Sequence, residues 1–430
     1  MNPNKLRILL AVVCSHTALA ERHEQTPPAQ IELSLPDVLR AVVEQNPTLR
    51  AARAKWLAAR ERVPQEAAWD DLRVDVGQTL HRFPTLPPDA MTDTELVVEQ
   101  MLPLSGKNRS RARAAEAESA ATAGELRRVE LDVLRRARIA FLDLANTRAQ
   151  IGINRRNQST LVQATESTRS KYEVGKQRQA DVLLAETEAA KNLEARADLD
   201  RKIVSAQVEL NALMNRPAGA EIGRPSELRF TELKIPSAEA QRLALAQRPE
   251  IAMANAKLTA EKSRLELARR AWFPDPALRV KLDRYNAPTT ALGEIGAGIS
   301  FNVPWGNARK YNAAIREAGQ LVARAERELE AARIEASALV RDQFNKIETY
   351  AHHYELYRDK ILPLADQAFR ATGSAYETDK ATFFELLTAQ RSFRDAQAEA
   401  VDHLMHHETA IAELYSIIGN DPETRTRRKK

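Results

Sequence analysis

Tyr172-Glu173-Val174-Gly175-Lys176, followed by Asp181-Val182-Leu183-Leu184-Ala185, returns later in the chain as Tyr376-Glu377-Thr378-Asp379-Lys380, followed by Glu385-Leu386-Leu387-Thr388-Ala389. Each stretch ends one long helical pattern at a short polar turn and begins another. Working outward, Asn46-Pro47-Thr48-Leu49 returns as Arg248-Pro249-Glu250-Ile251, and Leu72-Arg73-Val74 as Leu278-Arg279-Val280. Met101-Leu102-Pro103-Leu104 returns as Asn302-Val303-Pro304-Trp305. The echoes lie about 200 residues apart, so the chain is two structural repeats in register, not a catalytic domain with an appendage.

Between the echoes the pattern alternates between two periods. Ser34 is placed to cap a helix near Pro36, with Val38, Leu39, Val42 and Val43 as its apolar stripe. Pro47 interrupts it, and the pattern resumes from Thr48 to about Trp69. The period then drops to 2. Leu72, Val74 and Val76 alternate with Arg73, Asp75 and Gly77, and after a proline-rich loop a second alternating run covers Thr94 to Met101. The later pair is Leu278, Val280 and Leu282, then Ile295, Ala297, Ile299 and Phe301. Each pair reads as a hairpin of strands of about ten residues. From about Gly106 to Lys171 no proline occurs, which predicts a helix on the order of 100 Å. The chain returns from Asp181 to Met214, breaks at Pro217 to Pro225, and resumes from Pro236 to about Trp272. A last descent from about Asn307 to Ala375 carries Pro363, a candidate bend, before the return to Ile418.

The resulting layout is an export signal at 1–20, a first repeat at 21–215 with strands near 71–82 and 93–102, and a linker at 216–237. A second repeat covers 238–419 with strands near 277–286 and 292–303, and a polar tail covers 420–430. The signal rests on Lys5 and Arg7 before Ile8 to Val13, with Ala18-Leu19-Ala20 as the cleavage site. That apolar run is too short to span a bilayer as a helix, and no later segment reads as one. Cys14 as a lipid attachment point is disfavoured, because the branched Val13 precedes it. Cleavage after Ala20 leaves no cysteine, which excludes disulfides and thiolate metal sites.

Composition agrees with long helices packed side by side. Charged residues are 29% and aromatics only 5%, so little is spent on a bulky core. Acid and base alternate to a net charge of +5 with no basic block, which argues against a nucleic acid partner. There is no glycine-rich phosphate loop, no Gly-x-Ser-x-Gly elbow and no His-Glu-x-x-His, so neither enzymatic activity nor a cofactor is expected. Four strands are too few to close a cylinder. A self-contained coiled-coil protein would explain the helices but leave the strands no sheet to join.

At this point the sequence resembles the TolC-type outer-membrane factors of tripartite efflux systems, the outer membrane efflux protein family. The resemblance rests on the signal, the duplication, Pro103-Leu104-Ser105-Gly106-Lys107, and the turn at Tyr172 with its echo at Tyr376. It covers nearly the whole processed chain. The Pro103 to Lys107 signature is most similar to the heavy-metal, cobalt–zinc–cadmium branch, which implies metal cations as cargo. Multidrug or type I secretion channels are the alternative, and a periplasmic coiled-coil scaffold is a further one. The family implies a mainly α fold with a small β part. Long antiparallel hairpins form a trans-periplasmic α-barrel, and three protomers each give four strands to a 12-stranded transmembrane β-barrel. It implies localisation in the outer membrane with a long periplasmic portion. The implied partners are two further copies in a homotrimer, outer-membrane lipid, a periplasmic adaptor (membrane fusion) protein, and an inner-membrane resistance-nodulation-division pump.

Carried onto this chain, the resemblance implies that Tyr172, Val174, Gly175 and Lys176, with Tyr376, Thr378, Asp379 and Lys380, form the tips that meet the adaptor. Asp379 stands where the first repeat has Gly175, so the two turns are expected to differ. Glu173, Asp181, Glu377 and Glu385, with Asp379, are candidate acids of a cation-selecting aperture, set against the plainer reading of solvated or capping residues. Trp69 and Trp272 precede corresponding strands and suit a membrane interface or simple packing, and Trp305 suits packing at the same junction. His403 and His407, spaced i, i+4, with His406 beside them, are the metal candidates. They fall short of the three or four fixed ligands a tight site wants.

Overall fold

The computed structural model describes residues 32–79, 93–286 and 291–419. The export signal, the loop at 80–92, residues 287–290 and the polar tail lie outside the described residues.

Helix α1 (Leu35–Gln45) starts where Ser34 accepts a bond from the Asp37 amide. Asn46 then ends α1 and caps α2 (Pro47–Ala67), accepting from the amides of Thr48 at 2.9 Å and Leu49 at 3.2 Å. The short strand β1 (Glu32–Leu33) precedes α1, and β2 (Arg73–Thr79) and β3 (Asp93–Met101) follow α2. Helix α3 (Lys107–Glu173) runs 67 residues unbroken, about 100 Å at ~1.5 Å per residue. Helix α4 (Gln179–Leu213) returns from it, and β4 (Arg224–Pro225) pairs with β1 in parallel. That small pairing, invisible to the sequence reading, ties the start of the first repeat to the linker.

The second repeat follows the same order: α5 (Ser237–Gln247), α6 (Pro249–Arg270), β5 (Pro276–Asn286), β6 (Ala291–Phe301), α7 (Ala308–Leu356), α8 (Leu362–Glu377) and α9 (Phe383–Ile417). Two details differ from expectation. The segment expected to run as one helix from Pro236 breaks at Arg248, whose extended backbone sets Pro249 into the first turn of α6. Pro363 is accommodated by a π turn (Tyr357–Ile361) between α7 and α8. Proline offers no amide to the carbonyl four residues back and its ring crowds that carbonyl, so the preceding turn widens.

The helices form a wall four rods wide. Near the sheet the order is α2, α3, α6, α7; toward the turns it becomes α4, α3, α9 and then the α7, π-turn and α8 rod. Glu118 of α3 marks the first arrangement, ion-paired to both Arg62 of α2 and Arg264 of α6. Buried amides mark the second. Asn157 of α3 donates to Asn192 of α4 at 2.7 Å and accepts from Gln390 of α9 at 3.0 Å. Unpaired amides would be costly there, so these bonds fix the register of three otherwise alanine-rich helices. Two apolar cores thicken the wall at mid-height, one where Val38, Leu39 and Val42 of α1 meet α3 and α4, the other where α5 meets α7 and α9.

The sheet repeats the order of the rods: β2-β3-β5-β6, all antiparallel. Both halves therefore end in open edges, β2 over α2 and β6 over α7.

Candidate functional site

The sheet register sorts the strand residues by chemistry. Val76 faces Leu96, which faces Leu282, which faces Ile295; one step along, Val74, Val98, Val280 and Ala297 form a second such row. The interleaved rows are Arg73, Glu99, Arg279 and Gly298, then Asp75, Val97, Lys281 and Gly296. Because side chains alternate, the first two rows share one face and the others the opposite face. On the polar face Arg279 pairs with Glu99 at 2.9 Å, and Lys281 with Glu95 and Asp283 at 3.2 Å each. On the apolar face nothing covers Val76, Ile295 and Ile299, which are 72%, 76% and 70% exposed. Strands β3, β5 and β6 are 9, 11 and 11 residues long, the length a tilted strand needs to cross a bilayer. Among the described residues no helix is long and apolar enough to do so.

The Pro103 to Lys107 signature closes the sheet onto the helices. Asp275, just before β5, accepts from the Ser105 amide at 2.7 Å, the Ser105 hydroxyl at 2.8 Å and the Lys107 ammonium at 2.9 Å. Arg270 donates to the Ser105 carbonyl at 2.9 Å. Gly106 sits at φ +73°, a left-handed backbone that favours glycine, while an added Cβ would meet only the movable end of the Arg270 side chain. Burial alone would raise the Asp275 pKa, but the Ser105 and Lys107 donors outweigh it and hold the carboxyl below its ordinary value. The signature is thus a clasp between the two repeats, which sequence inspection could not pair across 170 residues.

At the far end of the rods the two turns have the same backbone. Gly175 has φ +75° and Asp379 φ +61°; the Lys176 amide donates to the Lys171 carbonyl at 2.8 Å and the Lys380 amide to the Ala375 carbonyl at 2.7 Å. The expected difference is therefore one of side-chain chemistry and not of shape. Lys171 donates to the Tyr376 carbonyl at 2.7 Å and to Asp379 at 2.8 Å, with its ammonium 4.1 Å from the Tyr376 ring centre. Tyr376 is buried and its hydroxyl lies 3.0 Å from Thr168 Oγ1, whereas Tyr172 stays exposed. One lysine thus straps the first hairpin to the second, and it holds the Asp379 carboxyl below the usual range.

The candidate acids divide. Glu385 closes a capping box with Thr382, whose amide and hydroxyl lower its pKa, and Asp181 sits in the first turn of α4 beside Arg178. Val174, Lys176, Thr378 and Lys380 are exposed with Glu173 and Glu377 around the tips.

The three histidines turn to different neighbours. His403 lies edge-on to His353 at 5.0 Å and against Tyr357 of the π turn at 4.9 Å. His406 stacks on Tyr350 and His407 on Phe230 of the linker, at 5.2 and 4.4 Å. Among the described residues no group of three metal-ligating side chains gathers. Burial, then the neighbouring His353, lowers the His403 pKa. An unfolded chain then takes up this proton first, so the stability His403 contributes is complete above its ordinary 6.5 and declines as pH falls below it. Thermal unfolding measured on either side of that value should show the decline, and His403→Gln should flatten it; an unchanged slope would refute the assignment.

Trp69 is exposed at the sheet–helix junction, while Trp272 is half-buried against Tyr311 at 5.6 Å and the adjacent Phe273 is exposed instead. Trp305, expected to pack there, is also exposed in the protomer.

Comparison with known proteins agrees with this architecture. The family described as outer membrane efflux protein matches residues 38–216 and 241–420, one stretch in each repeat. The toluene efflux pump outer membrane protein TtgF of Pseudomonas putida is 23% identical over 411 residues, 89% of this chain and 82% of that protein. Among solved structures, VceC of Vibrio cholerae aligns at a TM-score of 0.76 and 18% identity, covering 90% of this chain and 96% of that one. CusC aligns at 0.77 and 17% identity, covering 91% and 93%.

Proposed function

We infer what this chain does from one premise: it belongs to the outer membrane efflux protein family. It is an outer-membrane channel protein with a long periplasmic helical portion, and it conducts rather than catalyses. The observation that carries this is the sheet, with a bare apolar face for lipid and an ion-paired face for a wet lumen. In lipid an open strand edge is intolerable, so β2 and β6 must be closed by other chains. We propose closure by three protomers into a 12-stranded barrel above a helical tunnel, with the tips meeting a periplasmic adaptor and a resistance-nodulation-division pump supplying the free energy. Purified protein should run as a heat-labile trimer and conduct ions in planar bilayers. A monomer without conductance would defeat this reading.

For the cargo we favour small organic molecules over the metal cations that the branch resemblance implied. The matched relative serves a toluene pump, and CusC at 0.77 stands no nearer than VceC at 0.76. The Ser105 and Lys107 signature has a structural duty in the clasp that is indifferent to cargo. Restoring a channel-deficient strain should raise resistance to organic solvents and leave cobalt, zinc and cadmium sensitivity unchanged; the reverse result would return the metal reading. We propose further that the Lys171 strap holds the tip closed. Lys171→Met should then leave the trimer intact and raise conductance several-fold, and unchanged conductance would remove the strap from gating.

A further inference from the structure

Strand direction alternates across β2-β3-β5-β6, so the starts of β2 and β5 and the ends of β3 and β6 share the rim nearest the helices. Within the chain, one seam on this rim is visible. Asp275, before β5, is gripped by Ser105 and Lys107, after β3. The other seam of the duplicated design is split between the two open edges. Before β2 stand Asp70 and Asp71; after β6, as the second and third residues of α7, stand Arg309 and Lys310. All four are exposed, and none makes an ion pair among the described residues. The acid thus lies on the strand-start side and the cation on the helix-start side, as at the internal clasp.

A second copy whose β2 pairs with this β6 continues the antiparallel alternation and sets its strand start beside this strand end. We propose that Asp70 and Asp71 of one protomer pair with Arg309 and Lys310 of the next, making an intersubunit clasp that repeats the Asp275 clasp at each seam. The occupant is a copy of the same chain because acid and base are carried on opposite edges of one molecule. The proposal rests on the closure reading above. It adds to that reading which residues hold the rim together. Closing the barrel through strand pairing alone would leave these four charges without an ion-pair partner.

Two sets of variants test it in full-length protein purified in detergent. Reversal at Asp70 and Asp71 to lysine, or at Arg309 and Lys310 to glutamate, should cut the trimer surviving mild heating roughly tenfold, the scale of a few exposed ion pairs repeated at three seams. Combining both reversals should restore it. Asp71→Cys with Arg309→Cys should give oxidation-dependent linked dimers and trimers, whereas either cysteine alone should not. If the parent protein is trimeric, yet neither reversal weakens it and the cysteine pair never crosslinks, the clasp is wrong and closure stands. If the parent is monomeric, closure itself fails and the clasp with it.

Discussion

Arginine in place of Ile295 should keep this protein out of the outer membrane, whereas glutamate in place of Gly298 should not. The two residues lie three apart on β6 and on opposite faces of the sheet. Ile295 is on the bare apolar face, in the row with Val76, Leu96 and Leu282. A guanidinium there must sit in hydrocarbon near the middle of the strand, at a cost of about 2–4 kcal/mol per protomer. Trimeric closure would incur that cost three times, enough to empty the assembled population. Gly298 faces Arg279 across the ladder on the polar side, with nothing within 4 Å of an added Cβ, so a glutamate finds a cation and water. The amount of protein in outer-membrane fractions, and of the heat-labile trimer proposed above, measures both. The reverse outcome would mean that the faces have been assigned the wrong way round, and equal yields that the sheet never meets lipid.

The second large effect is expected at Asp275. Asp275→Ala strands two Ser105 donors and takes from the Lys107 ammonium its counter-charge, leaving it the Phe273 carbonyl at 2.8 Å. Leaving the partners of a nearly buried ion pair unmatched should cost about 2–3 kcal/mol, less than for a fully enclosed pair because water still reaches Lys107. Removing both charges, as Lys107→Met with Asp275→Leu, should cost less than the single change. Because the folded carboxyl is held below its ordinary 3.8, the clasp contributes fully above that pH and weakens as pH falls from there through the lower folded value. Thermal unfolding of the purified protein at neutral pH and in acid reads all three; a single variant as stable as the parent would show the clasp to be ornamental.

Much of the architecture was legible because it is written in local periods. The switch from 3.6 to 2 at Leu72 and Leu278 announces strands, and the proline-free run after Gly106 announces a very long helix. What escaped reading depends on partners far apart in sequence. Nothing local links Asp275 to Ser105, or Lys171 to Tyr376. The twin tyrosines look alike in sequence, yet the other hairpin covers Tyr376 and leaves Tyr172 bare. The break at Arg248 had a signal, its echo of Asn46-Pro47, but arginine lacks the short acceptor with which Asn46 caps the next helix. Gly175 and Asp379 mislead in the opposite sense. Aspartate tolerates the left-handed backbone better than most residues, so unlike residues make like turns.

The raw margins of the wall carry a genetic consequence. If copies of the chain close the sheet as proposed, each shares its defects with its neighbours, and each faulty copy spoils a join on either side. In a cell that makes sound and damaged chains together, lesions along β2, β6 and the outer rods should act as poisons, harming more than their share of the product. Lesions within the middle of the wall should instead be masked by the sound allele.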